Sequence, residues 1–149
     1  MIGPAIARRQ YLRGLRALER GDIDALLTQF DRRATLTFAG DTPLGASGLT
    51  GDGLRGWFER FLRLVPNPRF TVQRLVVAGP PWRMRLAAHV QIDSTVLGEP
   101  YRNQFAHFLV VRWGKVTEDL VIEDTQQWAR ACERLVAGGV AEAGSGRLG

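Results

Sequence analysis

Cysteine is nearly missing from this chain. Cys132 stands alone, so an internal disulfide is excluded, and the Cys and His spacing of a zinc site is absent. Its helical spacing with Trp128 and Leu135 reads as a small buried apolar residue rather than a nucleophile. Lysine is just as scarce, with Lys115 the only one among 20 basic residues and a net charge of +5. The rest are arginines. Arg8, Arg9, Arg13, Arg16 and Arg20 fall on the polar side of one helix, and the others are scattered without an aromatic-basic recognition motif. That pattern reads as a solvated surface, and no nucleic-acid partner is expected. Long apolar runs are missing too. MIGPAIARRQYLRGL is too short in apolar residues for a secretory signal, and no window approaches the roughly 18 needed to span a membrane. The expectation is a soluble, cytoplasmic protein with no membrane partner.

What is present fits one ordinary domain: 149 residues, 45% apolar and 23% charged. Tyr11, Leu12, Leu15 and Leu18 recur at helical spacing before Gly21, and Asp22 can cap a second short helix through Leu26, Leu27 and Phe30. ATLTFA at 34 to 39 alternates as a strand does, and GDTPLGASGLTG then breaks the periodicity as a flexible loop. Leu54, Trp57, Phe58, Phe61, Leu62 and Val65 mark a third helix that Pro66 and Pro68 end. Four strands follow over 70–78, 82–92, 101–113 and 115–124, then a helix from Thr125. The domain is expected to span 1–137, and the Gly- and Ala-rich residues 138–149 to form a flexible tail. Helices first and strands after them predict an α+β fold. A curved, mostly antiparallel sheet wrapped around the N-terminal helices would leave a cone-shaped cavity.

GKVTEDLVIED places acids in a strand rich in Val, Leu and Ile. A two-residue turn at Trp113-Gly114 or Gly114-Lys115 puts Tyr101, Asn103, Phe105, His107, Leu109 and Val111 on one face with Val116, Glu118, Leu120, Ile122 and Asp124. By apolar content this is the buried face. Asn103, His107 and Asp124 then become polar groups in an apolar wall and need partners, and Asn103 and Asp124 lie close enough across the hairpin to pair. Two plainer readings stand beside this one. Asp124 sits where it would cap the last helix, and Glu118, Asp119 and Glu123 read mostly as solvated acids facing Arg102 and Arg112. In the strand over 82–92, Trp82, Met84, Leu86, Ala88, Val90 and Ile92 form the apolar face, which sends His89 to the outside.

The order of elements resembles the nuclear-transport-factor-2-like superfamily, and its SnoaL-like branch in particular. The resemblance rests on GDIDALLTQF after the first helix, Thr50-Gly51 opening the third and GKVTEDLVIEDTQ before the last, and it covers roughly 8–136. It implies a cystatin-like α+β barrel, commonly dimeric, with a cavity between sheet and helices. It also implies where catalytic groups would stand. The ketosteroid isomerase proton-donating Tyr falls on Gly14 and its general-base Asp on Phe38, while the Asp-Arg-Asp group of the epoxide hydrolases falls on Val90, Ile92 and Val121. Neither set is kept. The same alignment turns Asp119, Val121 and Glu123 toward the cavity, against the apolar-content argument, and a bulge in the strand would reconcile the two.

The expected function is therefore a small-molecule pocket. One form is an isomerase, cyclase or hydrolase acting on a hydrophobic cyclic substrate without a cofactor or metal. Asp119 or Asp124 would accept a proton and His107 or Tyr101 donate one, while Asn103, Trp57, Phe61, Phe38 and Val121 contact the substrate. The other is a binding or assembly module of the same fold, paired as a homodimer through the sheet.

Overall fold

The computed structural model describes residues 3–148; the outermost residues of the expected domain and tail lie outside the described residues. Helix α1 spans Pro4–Glu19, with proline at its start where a missing N–H costs nothing, and it buries Ala7, Tyr11, Leu15 and Leu18. Asp22 caps the short α2, Ile23–Leu27, by accepting from the Ala25 amide at 3.0 Å. Helix α3, Asp52–Leu64, buries Leu54, Trp57, Phe58, Phe61 and Leu64 as one stripe. The last helix, α4, runs over Thr125–Ala137.

Six strands form one sheet: β1 Phe30–Phe38, β2 Ala46–Leu49, β3 Arg69–Ala78, β4 Met84–Val96, β5 Glu99–Arg112 and β6 Lys115–Glu123. The order is β2-β1-β6-β5-β4-β3, with β1 parallel to β6 and every other pair antiparallel. The expected α+β layout is the one found, with a curved and unclosed sheet. Part of the expected flexible loop is ordered as β2, because Leu44 and Ala46 are buried and anchor it.

Turn chemistry sets the registers. Trp113 and Gly114 have φ of 50° and 80°, and Arg112 faces Lys115, which is a two-residue hairpin of the type that needs positive φ at both positions. The resulting parity does not survive along β6. Val111 pairs with Val116, yet Val110 pairs with Glu118, so Thr117 is an extra residue and its hydroxyl donates to the Val110 carbonyl at 3.2 Å. The bulge exchanges the faces beyond it. Val116, Asp119 and Val121 are buried, whereas Ile122 is 45% exposed. The inward face inferred from apolar content is thus overturned for Glu118, Leu120, Ile122 and Asp124.

On β4 the side chains of Met84, Leu86, Ala88, Val90 and Ile92 are buried, and exposed His89 bonds Gln104 across the outer face at 2.7 Å. Trp82 departs from the apolar face assigned to it. It precedes the strand, is exposed, and packs 6.3 Å from the Trp113 ring. Residues read as a tail make contacts of their own: Ala143 is buried, Glu142 binds Arg63 at 2.6 Å, and Leu148 pairs with the backbone of Gly45. No described helix is long and apolar enough to cross a membrane.

Candidate functional site

Two hollows lie between the inner face of the sheet and the helices, of about 80 Å³ and about 60 Å³. They share Leu15, Leu18, Phe58, His107 and Asp119 in their walls. The larger adds Tyr11, Gly14 and Leu109, and the smaller adds Trp57, Phe61, Phe70, Phe105 and Glu123.

His107 and Asp119 of the shared wall and Tyr11 of the larger hollow form a chain of polar side chains across three elements. Tyr11 Oη, from α1, lies 2.9 Å from His107 Nδ1 on β5, and His107 Nε2 lies 2.7 Å from Asp119 Oδ1 on β6. The strand register makes this possible, because Leu109 faces Asp119 and His107 faces Val121, placing imidazole and carboxylate on adjacent diagonal positions of one face. Satisfying every atom assigns the hydrogens: the phenol donates to Nδ1, and the Nε2–H donates to the carboxylate. The His107 and Asp119 side chains are only 13% and 5% exposed, so their interaction is screened little by solvent. Burial, reinforced by the Asp119 charge, pushes the Tyr11 phenol well above its usual range. It therefore keeps its proton at neutral pH.

Glu123 closes the smaller hollow. Its Oε1 is buried with no hydrogen-bond partner, and Oε2 receives only a long contact of 3.4 Å from Asn103 Nδ2. Burial, and then the charge of Asp124, push its carboxyl up to about 8. Reading Glu123 as a solvated surface acid is overturned by the Thr117 bulge, which turns it inward.

The other expected site residues separate into two groups. Trp57, Phe61, Phe38 and Val121 line the smaller hollow, with Trp57 stacked on Phe61 at 5.6 Å and tied by its indole N–H to the Leu44 carbonyl. Asp124, Tyr101 and Asn103 line neither hollow. Asp124 caps α4, accepting from the amides of Gln126 and Gln127 at 3.2 Å. Asn103 donates to the Tyr101 hydroxyl at 2.8 Å and to the backbone carbonyl of Asp124 at 3.0 Å, so the pairing expected with the Asp124 carboxylate does not form. Tyr101 packs edge-on to Trp128. Cys132 is buried, which pushes its thiol up to about 12.

Tyr11 was the residue missed. It lies one helical turn before Gly14, where the resemblance looked for a phenol. A side chain at Gly14 would meet Gln29, whose Oε1 is 2.7 Å from the site of a Cβ. Among the described residues no three His, Cys, Asp or Glu side chains gather as a metal-binding group.

Comparison with solved structures finds the same fold at low identity. PrhC from Penicillium brasilianum superposes with a TM-score of 0.77 at 17% identity, covering 92% of this chain and 92% of that one. BvnE pinacolase from Penicillium brevicompactum gives 0.72 at 16%, covering 86% and 92%. An NTF2-like protein from Burkholderia thailandensis gives 0.69 at 19%, covering 84% and 95%. No curated protein matches the sequence. The family model of the SnoaL-like domain matches residues 9–119. With that match spanning most of the chain, and with helices packed inside a six-stranded NTF2-like sheet, the protein belongs to the SnoaL-like domain family.

Proposed function

We propose that this protein is a small-molecule enzyme that moves a proton on a hydrophobic cyclic substrate, as an isomerase, cyclase or hydrolase working with its own side chains. The observation that carries the reading is the Tyr11–His107–Asp119 chain, with links of 2.9 Å and 2.7 Å, which lines the larger apolar hollow and whose His107 and Asp119 also face the smaller one. When a proton arrives at Tyr11 Oη, the phenol passes its own hydrogen to His107 Nδ1, and the imidazolium formed is held by the Asp119 carboxylate. Run backward, the same chain donates. An imidazole between a phenol and a carboxylate can thus serve as acid or base without large rearrangement. Among the structural neighbours, a pinacolase from Penicillium brevicompactum and a candidate polyketide cyclase from Streptomyces antibioticus support small-molecule chemistry on this fold. They do not carry a substrate over.

The test incubates the protein with a panel of apolar cyclic ketones and epoxides in deuterated water, followed by NMR for exchange, rearrangement or ring opening. Asp119→Asn is expected to lower any activity by about 100-fold or more. Ligand recovered unchanged from every member of the panel would instead favour a binding module. We also propose a second copy of the chain as partner through the outer face of the sheet, where Val76 and Phe108 are exposed along with Ile122. Phe108→Glu should shift the mass seen by light scattering from dimer to monomer.

A further inference from the structure

Of the four tryptophans, Trp57 and Trp128 are buried, whereas Trp82 is 57% and Trp113 70% exposed. The two exposed rings lie 6.3 Å apart, tilted by 44°. They come from different connections at one end of the sheet, residues 79–83 between β3 and β4 and the Trp113-Gly114 turn between β5 and β6. Backbone bonds join these into one unit: the Trp113 N–H donates to the Pro81 carbonyl and the Arg83 N–H to the Pro80 carbonyl, each at 2.9 Å. Two indoles side by side leave apolar surface in water that a partner would cover. Because the backbone already holds them, covering them costs little ordering.

The charge around the pair has one sign. Arg83, Arg85, Arg112 and Lys115 flank it and are exposed, and among the described residues none of the four pairs with a carboxylate. Lys115 Nζ donates to the Thr28 carbonyl, which leaves its charge in place. Residues 79–86 and 110–116 contain no acid. By strand register the nearest acids are Asp31, next to the Phe30 that faces Val116, and Glu118, which faces Val110. Indoles set among arginines and a lysine match the boundary of an anionic bilayer, where Trp settles at headgroup level and cations meet acidic lipid. A second copy of the chain would bring like charges together on this patch. A nucleic-acid base finds no parallel slot between rings tilted by 44°.

We propose that this tip docks reversibly on a bilayer surface rich in anionic lipid, with Trp82 and Trp113 seated among the headgroups. The missing spanning run, on which the expectation of no membrane partner rested, does not bear on a contact of this kind. The inference rests on the proposed reaction only for what docking delivers. The wall of the larger hollow is buried except at Gln10, Gln29, Phe30, His107 and Gly114. Gly114 directly follows Trp113, so an apolar substrate held in the bilayer would enter beside the docked tip.

The test is sedimentation of the full chain with vesicles of phosphatidylcholine, alone or mixed three to one with phosphatidylserine, together with quenching of tryptophan fluorescence by brominated acyl chains. Binding should favour the mixed vesicles by at least about tenfold and weaken as salt is added. The bound protein should lose the emission of Trp82 and Trp113 and keep that of buried Trp57 and Trp128. Arg83→Gln combined with Arg112→Gln should weaken binding about 25-fold, at about fivefold per cation. Trp82→Ser combined with Trp113→Ser should weaken it by at least about tenfold. Thermal melts check that both double variants fold. Asp119→Asn should bind vesicles as the wild type does even where it abolishes turnover, so loss of the proton chain and loss of docking are read separately. No sedimentation with the mixed vesicles, equal binding to the neutral ones, or binding unchanged in the double tryptophan variant would overturn the proposal. Quenching of the same two tryptophans by oligothymidine in place of lipid would overturn it in favour of nucleic acid. A dimer that ignores vesicles and splits in the double tryptophan variant, seen by light scattering, would overturn it in favour of a second copy.

Discussion

Replacing Glu123 by glutamine should flatten the dependence of folding stability on pH. An unfolded glutamate ionises near 4.5, whereas the folded carboxyl ionises near about 8. The neutral form is therefore favoured by folding. The stability this group contributes is fully present below pH 4.5, drains away as pH rises toward 8, and stays constant beyond. Each pH step in that window corresponds to about 1.4 kcal/mol, so the ceiling is roughly 4 to 5 kcal/mol. That is a large share of the roughly 5 to 15 kcal/mol by which a domain is folded. Urea unfolding of wild type and Glu123→Gln at pH 5, 6.5 and 8 measures it, with glutamine nearly isosteric and unable to ionise. The wild-type curve should fall relative to the variant by several kcal/mol across the window. Parallel curves, with a constant offset, would mean that the carboxyl ionises normally and is solvated, and the account of the smaller hollow would fail with it.

Three further perturbations address other parts of the structure. Deleting Thr117 removes the bulge and lets Val116 and Glu118 follow each other opposite Val111 and Val110, so Asp119, Val121 and Glu123 stay inward; the fold should be kept, with a loss of only about 1 kcal/mol by chemical denaturation for the hydroxyl bond to the Val110 carbonyl. Tyr11→Phe leaves His107 Nδ1 without its donor in a buried setting, so the protein should lose about 1 to 3 kcal/mol of stability together with activity. Asp124→Ala removes the α4 cap and should cost about 1 kcal/mol in a thermal melt, while activity per folded molecule is unchanged.

Helix stripes, hairpin turns and the α+β layout were legible in the sequence because each is local. Tyr11, Leu15 and Leu18 repeat every turn, and Gly114 marks a two-residue hairpin that the sequence leaves open between Trp113-Gly114 and Gly114-Lys115 and the structure puts at the first. The site was less legible for a physical reason: its groups are set by pairings distant in sequence. The Thr117 bulge depends on how β6 lies against β5, and a parity argument without it exchanges Asp119 for Leu120 and Glu123 for Asp124. The alternative inward set of Asp119, Val121 and Glu123 came from the resemblance, with a bulge as the device needed to reconcile it. Tyr11 was hidden differently. On α1 it reads as one more core residue, and only the approach of His107, 96 positions away, makes its hydroxyl a polar partner. Asp124 illustrates the opposite case, an acid at a strand end whose neighbouring helix start already explained it.

The most direct test of the proton chain is nitrogen-15 NMR of His107 in protein labelled at histidine, recorded for the wild type, Tyr11→Phe and Asp119→Asn. The account predicts a ring hydrogen at Nε2, with the Nδ1 resonance shifting in Tyr11→Phe and the tautomer preference weakening in Asp119→Asn. A ring protonated at Nδ1 alone, or resonances indifferent to both substitutions, would contradict it.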